Sequence, residues 1–148
     1  MSPLKNYTTT VAVEKTVSEI TGILATHKAR SIQLDYDADG MIEAISFWIE
    51  TPNGAMSFRL PANVESVERV LKKQAALRQV PRSQTTQAQA RRVAWRIIKD
   101  WLDAQMAILE TEMVKFEQIF LPYAVMRDGK YLFDHIMSGH LLTEGKEE

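Results

Sequence analysis

The sequence predicts an α+β protein: a mostly antiparallel four-stranded sheet in β-α-β-β-β-α order, followed by a long C-terminal helix. Three observations carry that prediction. Between Ile32 and Leu60, apolar residues alternate along short runs that are broken by Asp37-Ala38-Asp39-Gly40 and by Pro52-Asn53-Gly54, the composition of tight turns between strands. On either side, Val17, Ile20, Leu24 and His27, then Val64, Val67, Val70 and Leu71, recur at helical spacing. From Thr86 to Ile119 there is neither Gly nor Pro, while Val93, Ile97, Trp101, Ile108, Met113, Phe116 and Phe120 hold one apolar face.

Thr8 to Val13 is β-branched and alternating, and reads as a first strand. Thr16-Val17-Ser18-Glu19 fits a capping box for helix one, which is expected to run to about Lys28. Ile32, Leu34 and Tyr36 mark a second strand. Met41 to Glu50 is a third, apolar on both faces and therefore central. In the fourth, Met56, Phe58 and Leu60 alternate with Ala55, Ser57 and Arg59, so one face is wet. Strands two to four form an antiparallel meander. Asn63 is placed to cap helix two, which ends near Leu77. A polar linker with Pro81 covers 78–85. Thr86 with Gln89 caps the long helix, expected over 86–121. Unbroken, that helix is about 50 Å long, against about 40 Å for a globule of this size. It therefore spans the domain, bends, or projects, and a projecting apolar face invites a second copy of the chain. Leu121-Pro122 ends it. The remainder, 122–148, holds a turn at Asp128-Gly129, a short helix over Tyr131–Met137 and a polar tail over Thr143–Glu148. One domain over 1–148 is expected, with 6–77 as its sheet layer.

Composition narrows the function classes. The 148 residues are 45% hydrophobic and 25% charged, as in ordinary globular proteins. No apolar run is long enough for a membrane span, and the N-terminus lacks the apolar core of a secretory signal. A cytoplasmic location follows as an expectation. With no cysteine there is no disulfide, thiol nucleophile or Cys-ligated zinc. His27, His135 and His140 have no metal-pair spacing, and His27 reads as a packed histidine. Asp35-Tyr36-Asp37-Ala38-Asp39-Gly40 copies the first half of a calcium loop. However, Ser46 stands where the bidentate Glu belongs, so an acidic turn is the plainer reading beside a weak cation site. Isolated glycines exclude a phosphate loop and a dinucleotide fingerprint. No cofactor, metal or catalytic residue is expected.

One stretch is distinctive. Arg69, Lys72, Lys73, Arg78, Arg82, Arg91, Arg92, Arg96 and Lys99 follow one another with no acid between them. They are half of the chain's 18 basic residues, so the stretch carries +9 and the rest of the chain −10, although the net charge is −1. Lys and Arg neutralise phosphates. Arg92, Arg96 and Lys99 lie on one helical face, with Trp95 beside them either as a stacking platform for a base or as a core residue. Gln74, Gln79, Ser83, Gln84, Thr85, Thr86, Gln87 and Gln89 add groups able to bond phosphates or base edges. The candidate nucleic-acid contacts are thus Lys72, Lys73, Arg78, Arg82, Arg91, Arg92, Trp95, Arg96 and Lys99. The competing readings are a face paired with the protein's own acids (Glu65, Asp100 and Asp103 are near) and an acidic protein partner.

The helix–three-strand–helix order over about 16–77 resembles that of double-stranded-RNA-binding domains. There the second helix opens on basic residues, whereas this one opens on Asn63-Val64-Glu65-Ser66, so none of that family's binding residues carry over. More broadly, KNYTTTVAVEKTVSEI, SFRLPANVE, RRVAWRIIKDWLDAQMA and EQIFLPYAV resemble a family of small uncharacterised proteins of bacteriophages, prophages and mobile elements. That resemblance covers Asn6 to about Met137 and implies context rather than chemistry. The two jobs it favours are handling phage or plasmid nucleic acid, and non-enzymatic inhibition of a host defence complex, as anti-CRISPR proteins do. The sequence expectation is therefore a non-catalytic nucleic-acid binder acting through the basic stretch, with a protein-binding inhibitor or assembly factor as the alternative.

Overall fold

The structure, a computed structural model, describes residues 2–139; His140 and the tail over 143–148 lie outside the described residues. The elements are α1 (Val13–Ala25), β1 (Ser31–Tyr36), β2 (Ile42–Thr51), β3 (Gly54–Pro61), α2 (Val64–Ala76), α3 (Gln87–Glu110), α4 (Phe116–Phe120) and α5 (Leu132–Met137), with short 3-10 turns at Arg82–Gln84 and Leu121–Tyr123. The sheet is antiparallel in the order β1-β2-β3, with β2 central. Ile32 faces Phe47 across β1 and β2, and Phe47 faces Phe58 across β2 and β3. Both hairpin turns form where expected. At the first, Asp37 accepts from the amides of Asp39 and Met41, each at 2.9 Å, and Gly40 supplies the positive φ (+79°).

The sheet has three strands, not four. Thr8–Val13 is no strand, because its backbone is engaged by side chains instead of a ladder. The amide of buried Gln89 donates to the carbonyls of Tyr7 (2.8 Å) and Thr9 (3.0 Å). Buried Gln74 likewise accepts from the amide of Leu4 at 2.8 Å. Asn6 adds a bond of 2.8 Å to Asp100. The N-terminal segment is therefore a strap across α2 and α3. The expected capping box is also absent. The helix opens earlier, at Val13, so Thr16 lies inside α1, fully buried, and Ala12 is an N-cap without a side-chain bond.

One apolar sheet face (Ile32, Leu34, Ile45, Phe47, Ile49, Met56, Phe58, Leu60) packs on Val17, Ile20 and Leu24 of α1, on Trp95, Leu102 and Met106 of α3, and on α4. Phe47 stacks on Phe58 at 5.3 Å and meets the ring of Phe120 edge-on at 5.1 Å; such pairs add about 0.5–1.5 kcal/mol each beyond burial. A second cluster, Leu71, Val80, Ala90 and Val93 with Leu4 and Tyr7, joins α2, α3 and the strap. α3 serves both clusters and so lies at the centre. On the other sheet face, Asp35 is bonded by Gln33 (2.7 Å), Ser46 (2.9 Å) and Arg59 (3.2 Å), and Arg59 reaches Tyr131 of the C-terminal segment at 3.2 Å.

The long helix ends at Glu110, not near residue 121. Thr111 caps it and Glu112 turns left-handed (φ +64°), with its amide on the Leu109 carbonyl at 2.9 Å. The break folds α4 back, so that Phe116, Ile119 and Phe120 reach the sheet. At 24 residues, or about 36 Å, α3 does not outrun the globule, and the length argument for self-association through this helix is lost. Among the described residues no helix is long and apolar enough to cross a membrane.

Candidate nucleic-acid interface

The basic stretch is shaped by how α2 stops. The amide of Gln79 bonds the Gln74 carbonyl (2.8 Å) and that of Arg78 bonds the Ala75 carbonyl (2.9 Å), the paired pattern of a Schellman ending. That ending needs a left-handed residue, normally glycine, and here Arg78 takes it with φ +61°. Val80 then plugs the second apolar cluster at 4% exposure, and Pro81 keeps the chain extended into the Arg82–Gln84 turn. Anchored at Val80, the linker turns Arg78 and Arg82 outward on either side. Lys72, Ala75, Ala76, Arg78, Arg82 and Thr85 line an open depression of about 580 Å³. Two alanines leave room at its floor. No carboxylate lines it among the described residues.

The side chains of Arg78 and Arg82 have no hydrogen-bond or ion-pair partner among the described residues, nor has that of Lys73, exposed beside them on α2. Lys72 pairs with Glu68 one turn back at 2.8 Å, an exposed contact worth only about 0.3–0.5 kcal/mol and readily exchanged for a phosphate. Among the described residues Arg69 reaches only the Ser66 hydroxyl, at 3.1 Å. Beyond the linker, Thr86 caps α3 as expected, its hydroxyl accepting from the Gln89 amide at 3.1 Å. The amides of Gln87 and Ala88 precede the first intrahelical bond, from Ala90 to Thr86, and form the positive end of a 24-residue helix.

The remaining basic residues go elsewhere. Arg91 and Arg92 line a different cleft, with Tyr36 and Met41. Trp95 is fully buried in the main core, so it is no stacking platform. Of the face shared by Arg92, Arg96 and Lys99, Arg92 lines that cleft, while Arg96 and Lys99 turn toward the protein's own acids. Arg96 bonds Glu19 at 2.8 Å and Thr16 at 3.2 Å. Lys99 pairs with Asp103 at 2.7 Å and is 19% exposed. The two residues of the supposed capping box are thus partners of Arg96. Gln74 and Gln89, read as base or phosphate ligands, are each 4% exposed and hold the strap. The basic stretch therefore splits into Arg69 (bonded to a hydroxyl of its own helix), an open cluster (Lys72, Lys73, Arg78, Arg82), a cleft pair (Arg91, Arg92) and a pair spent on the protein's own acids (Arg96, Lys99).

The acidic turn is similarly committed: Asp37 holds the backbone and Asp35 faces Arg59. Burial works to raise the Asp35 carboxyl, but hydrogen bonds from Gln33, Ser46 and Arg59, with the Arg59 charge, outweigh it and hold the group below its ordinary value. His27 is half-buried with Nδ1 at 2.7 Å from the Ile23 carbonyl, the packed histidine that was expected. No group of three His, Asp or Glu able to hold a metal occurs among the described residues. Sequence spacing gave no sign of Tyr36 or Met41 beside Arg91, since they lie 55 and 50 positions away and only the fold joins them. In comparisons with known proteins, no family model, no curated protein and no solved structure matches the chain.

Proposed function

We propose that the protein binds nucleic acid without catalysis, through the depression formed by Lys72, Arg78, Arg82 and Thr85, with Lys73 beside it. One observation carries this reading: three of those cations, Lys73, Arg78 and Arg82, have no partner among the described residues, in a chain with 19 acids that pairs Arg96, Lys99, Lys5 and Arg59 internally. Arg78 sharpens the point. A left-handed non-glycine costs about 1–2 kcal/mol, and that cost sets a guanidinium at the centre of the open cluster. Phosphate oxygens supply what these groups lack, and the first amides of α3 point the same field at them.

The test is oligonucleotide binding across salt concentrations. Wild type is expected to bind with a log–log salt slope of about −3, one unit per phosphate neutralised. The Lys73→Glu, Arg78→Glu, Arg82→Glu triple variant is expected to lose most of that slope and keep its fold, while Arg127→Glu, on the exposed turn before α5, changes little. Unchanged affinity and slope in the triple variant would refute the proposed contact surface.

A second reading has its own observation. Val70 and Leu77, 39% and 56% exposed, flank Lys73 along α2 and add apolar area to the basic face. Such a surface fits an acidic protein complex, as the resemblance to phage and mobile-element proteins also allows. On that reading, Val70→Asp with Leu77→Asp abolishes stoichiometric binding to the partner, and oligonucleotides do not bind even at low salt.

A further inference from the structure

We infer that the cleft between the β1–β2 turn, the start of α1 and the first turns of α3 takes one unstacked nucleotide, its base against Tyr36 and Met41 and its phosphate on Arg91 and Arg92. The inference rests on the nucleic-acid reading above and deepens it, because it makes single-stranded nucleic acid the preferred ligand.

The cleft measures about 300 Å³, at the small end for a ligand pocket. Its apolar wall is Val13, Met41 and Ile42. Tyr36 and Met41 line it while remaining 57% and 43% exposed, a large outlay of apolar surface in water. A register shift between Asp35 and Tyr36, which pair with Ala44 and Ile42, breaks the β1–β2 ladder just there. An exposed ring beside cations is the arrangement on which bases stack.

The cations are built in, not merely nearby. Arg92 donates from Nε (2.9 Å) and Nη2 (2.6 Å) to the Oε1 of Gln89. Gln89 is buried and is itself held by the strap carbonyls of Tyr7 and Thr9. The guanidinium is thus fixed along one edge by a neutral acceptor, with its charge uncompensated and Nη1 left over. A planar fork held this way is ordered before an anion arrives. Among the described residues Arg91 has only the Gln87 side-chain oxygen, at 3.5 Å. Glu14 also lines the cleft and pairs with neither arginine within 4.0 Å. A bare phosphate must tolerate that carboxylate, whereas a base carrying an exocyclic amino group can donate to it.

Position completes the case. Thr85 lines the basic depression and Ala88 lines this cleft, on either side of the α3 cap Thr86. Three residues span at most about 10 Å, so one strand can cross from one site to the other. A duplex keeps its bases stacked inside, out of reach of such a cleft, while a single strand does not.

The experiment compares a short deoxyadenosine single strand with a duplex containing it, against wild type, Tyr36→Ala, Tyr36→Phe, Arg91→Ala and Arg82→Glu. Tyr36 and Arg91 are surface side chains, and circular dichroism checks that each variant folds. Wild type is expected to prefer the single strand. Tyr36→Ala is expected to lower single-strand affinity about 5- to 150-fold, the range for one stacked base, with duplex affinity unchanged and Tyr36→Phe close to wild type. Single-strand affinity indifferent to Tyr36→Ala and Arg91→Ala, yet abolished by Arg82→Glu, would overturn the cleft and leave the depression standing. An equal loss of both forms in Tyr36→Ala would also overturn it. Failure of both nucleic acids to bind wild type would overturn both proposals, and tight binding of an acidic peptide instead would assign the surface to a protein partner.

Discussion

Arg78 is where fold and function pull apart. Its left-handed backbone suits glycine, and its side chain has no partner among the described residues. Arg78→Gly is therefore expected to stabilise the fold by up to about 1 kcal/mol, raising Tm by roughly 2–4 °C, while weakening oligonucleotide binding and flattening the salt slope by about one unit. Thermal melts and salt titrations on the same preparation check both signs. Gln89 presents the opposite case, a polar residue serving the fold. Gln89→Ala strands two strap carbonyls and is expected to cost about 1–3 kcal/mol in denaturant melts. It was legible as part of a helix start, but not as a buried anchor, because local spacing does not reveal a partner some eighty residues away.

Asp35 sets a pH dependence. Its carboxyl titrates below the ordinary 3.8 in the folded protein, so the unfolded chain takes up the proton first as pH falls. Its contribution is complete above about pH 4 and is lost as pH drops through the folded value. Asp35→Asn is expected to reduce the stability difference between pH 6 and pH 3, measured by urea unfolding. An unchanged difference would mean that the bonds from Gln33, Ser46 and Arg59 do not hold the carboxyl below its ordinary value.

At the scale of elements, the sheet and α2 were legible because their signals are local: alternation, two turn sequences, and a cap at Asn63 whose side chain accepts from Ser66 at 3.0 Å. The misreadings share a cause. Thr8–Val13 alternates like a strand but finds side-chain amides instead of an edge. The run from 86 to 119 contains no helix breaker, yet tertiary packing of Phe116 and Phe120 outweighs continuation of the helix. That choice sets Glu112 in left-handed backbone. Glu112→Gly is thus the control for Arg78: the same gain of up to about 1 kcal/mol is expected, with nucleic-acid binding unaltered.

For the whole molecule, the +9 stretch predicted that charge would be segregated along the chain, and the fold then sorts it. α3 runs between two apolar clusters, so its basic residues point in different directions. Arg96 and Lys99 meet the acids of α1 and α3, Arg91 and Arg92 face a cleft with only neutral amide partners among the described residues, and the α2–linker cations form the open cluster. Sequence reasoning could find the stretch but not divide it, since the division depends on which helix face α1 covers. Roughly half of the candidate contacts, Lys72, Lys73, Arg78 and Arg82, stay on one accessible surface, and the three without a partner among the described residues, Lys73, Arg78 and Arg82, set the expected slope of about −3.

The most direct test of that surface is a titration of isotopically labelled protein with a short single-stranded oligonucleotide, following backbone amide shifts. The account predicts perturbation concentrated over residues 72–88, extending to Tyr36, Arg91 and Arg92, with α4 and α5 silent. Perturbation centred on α4 and α5, or none at an oligonucleotide excess in low salt, would contradict it.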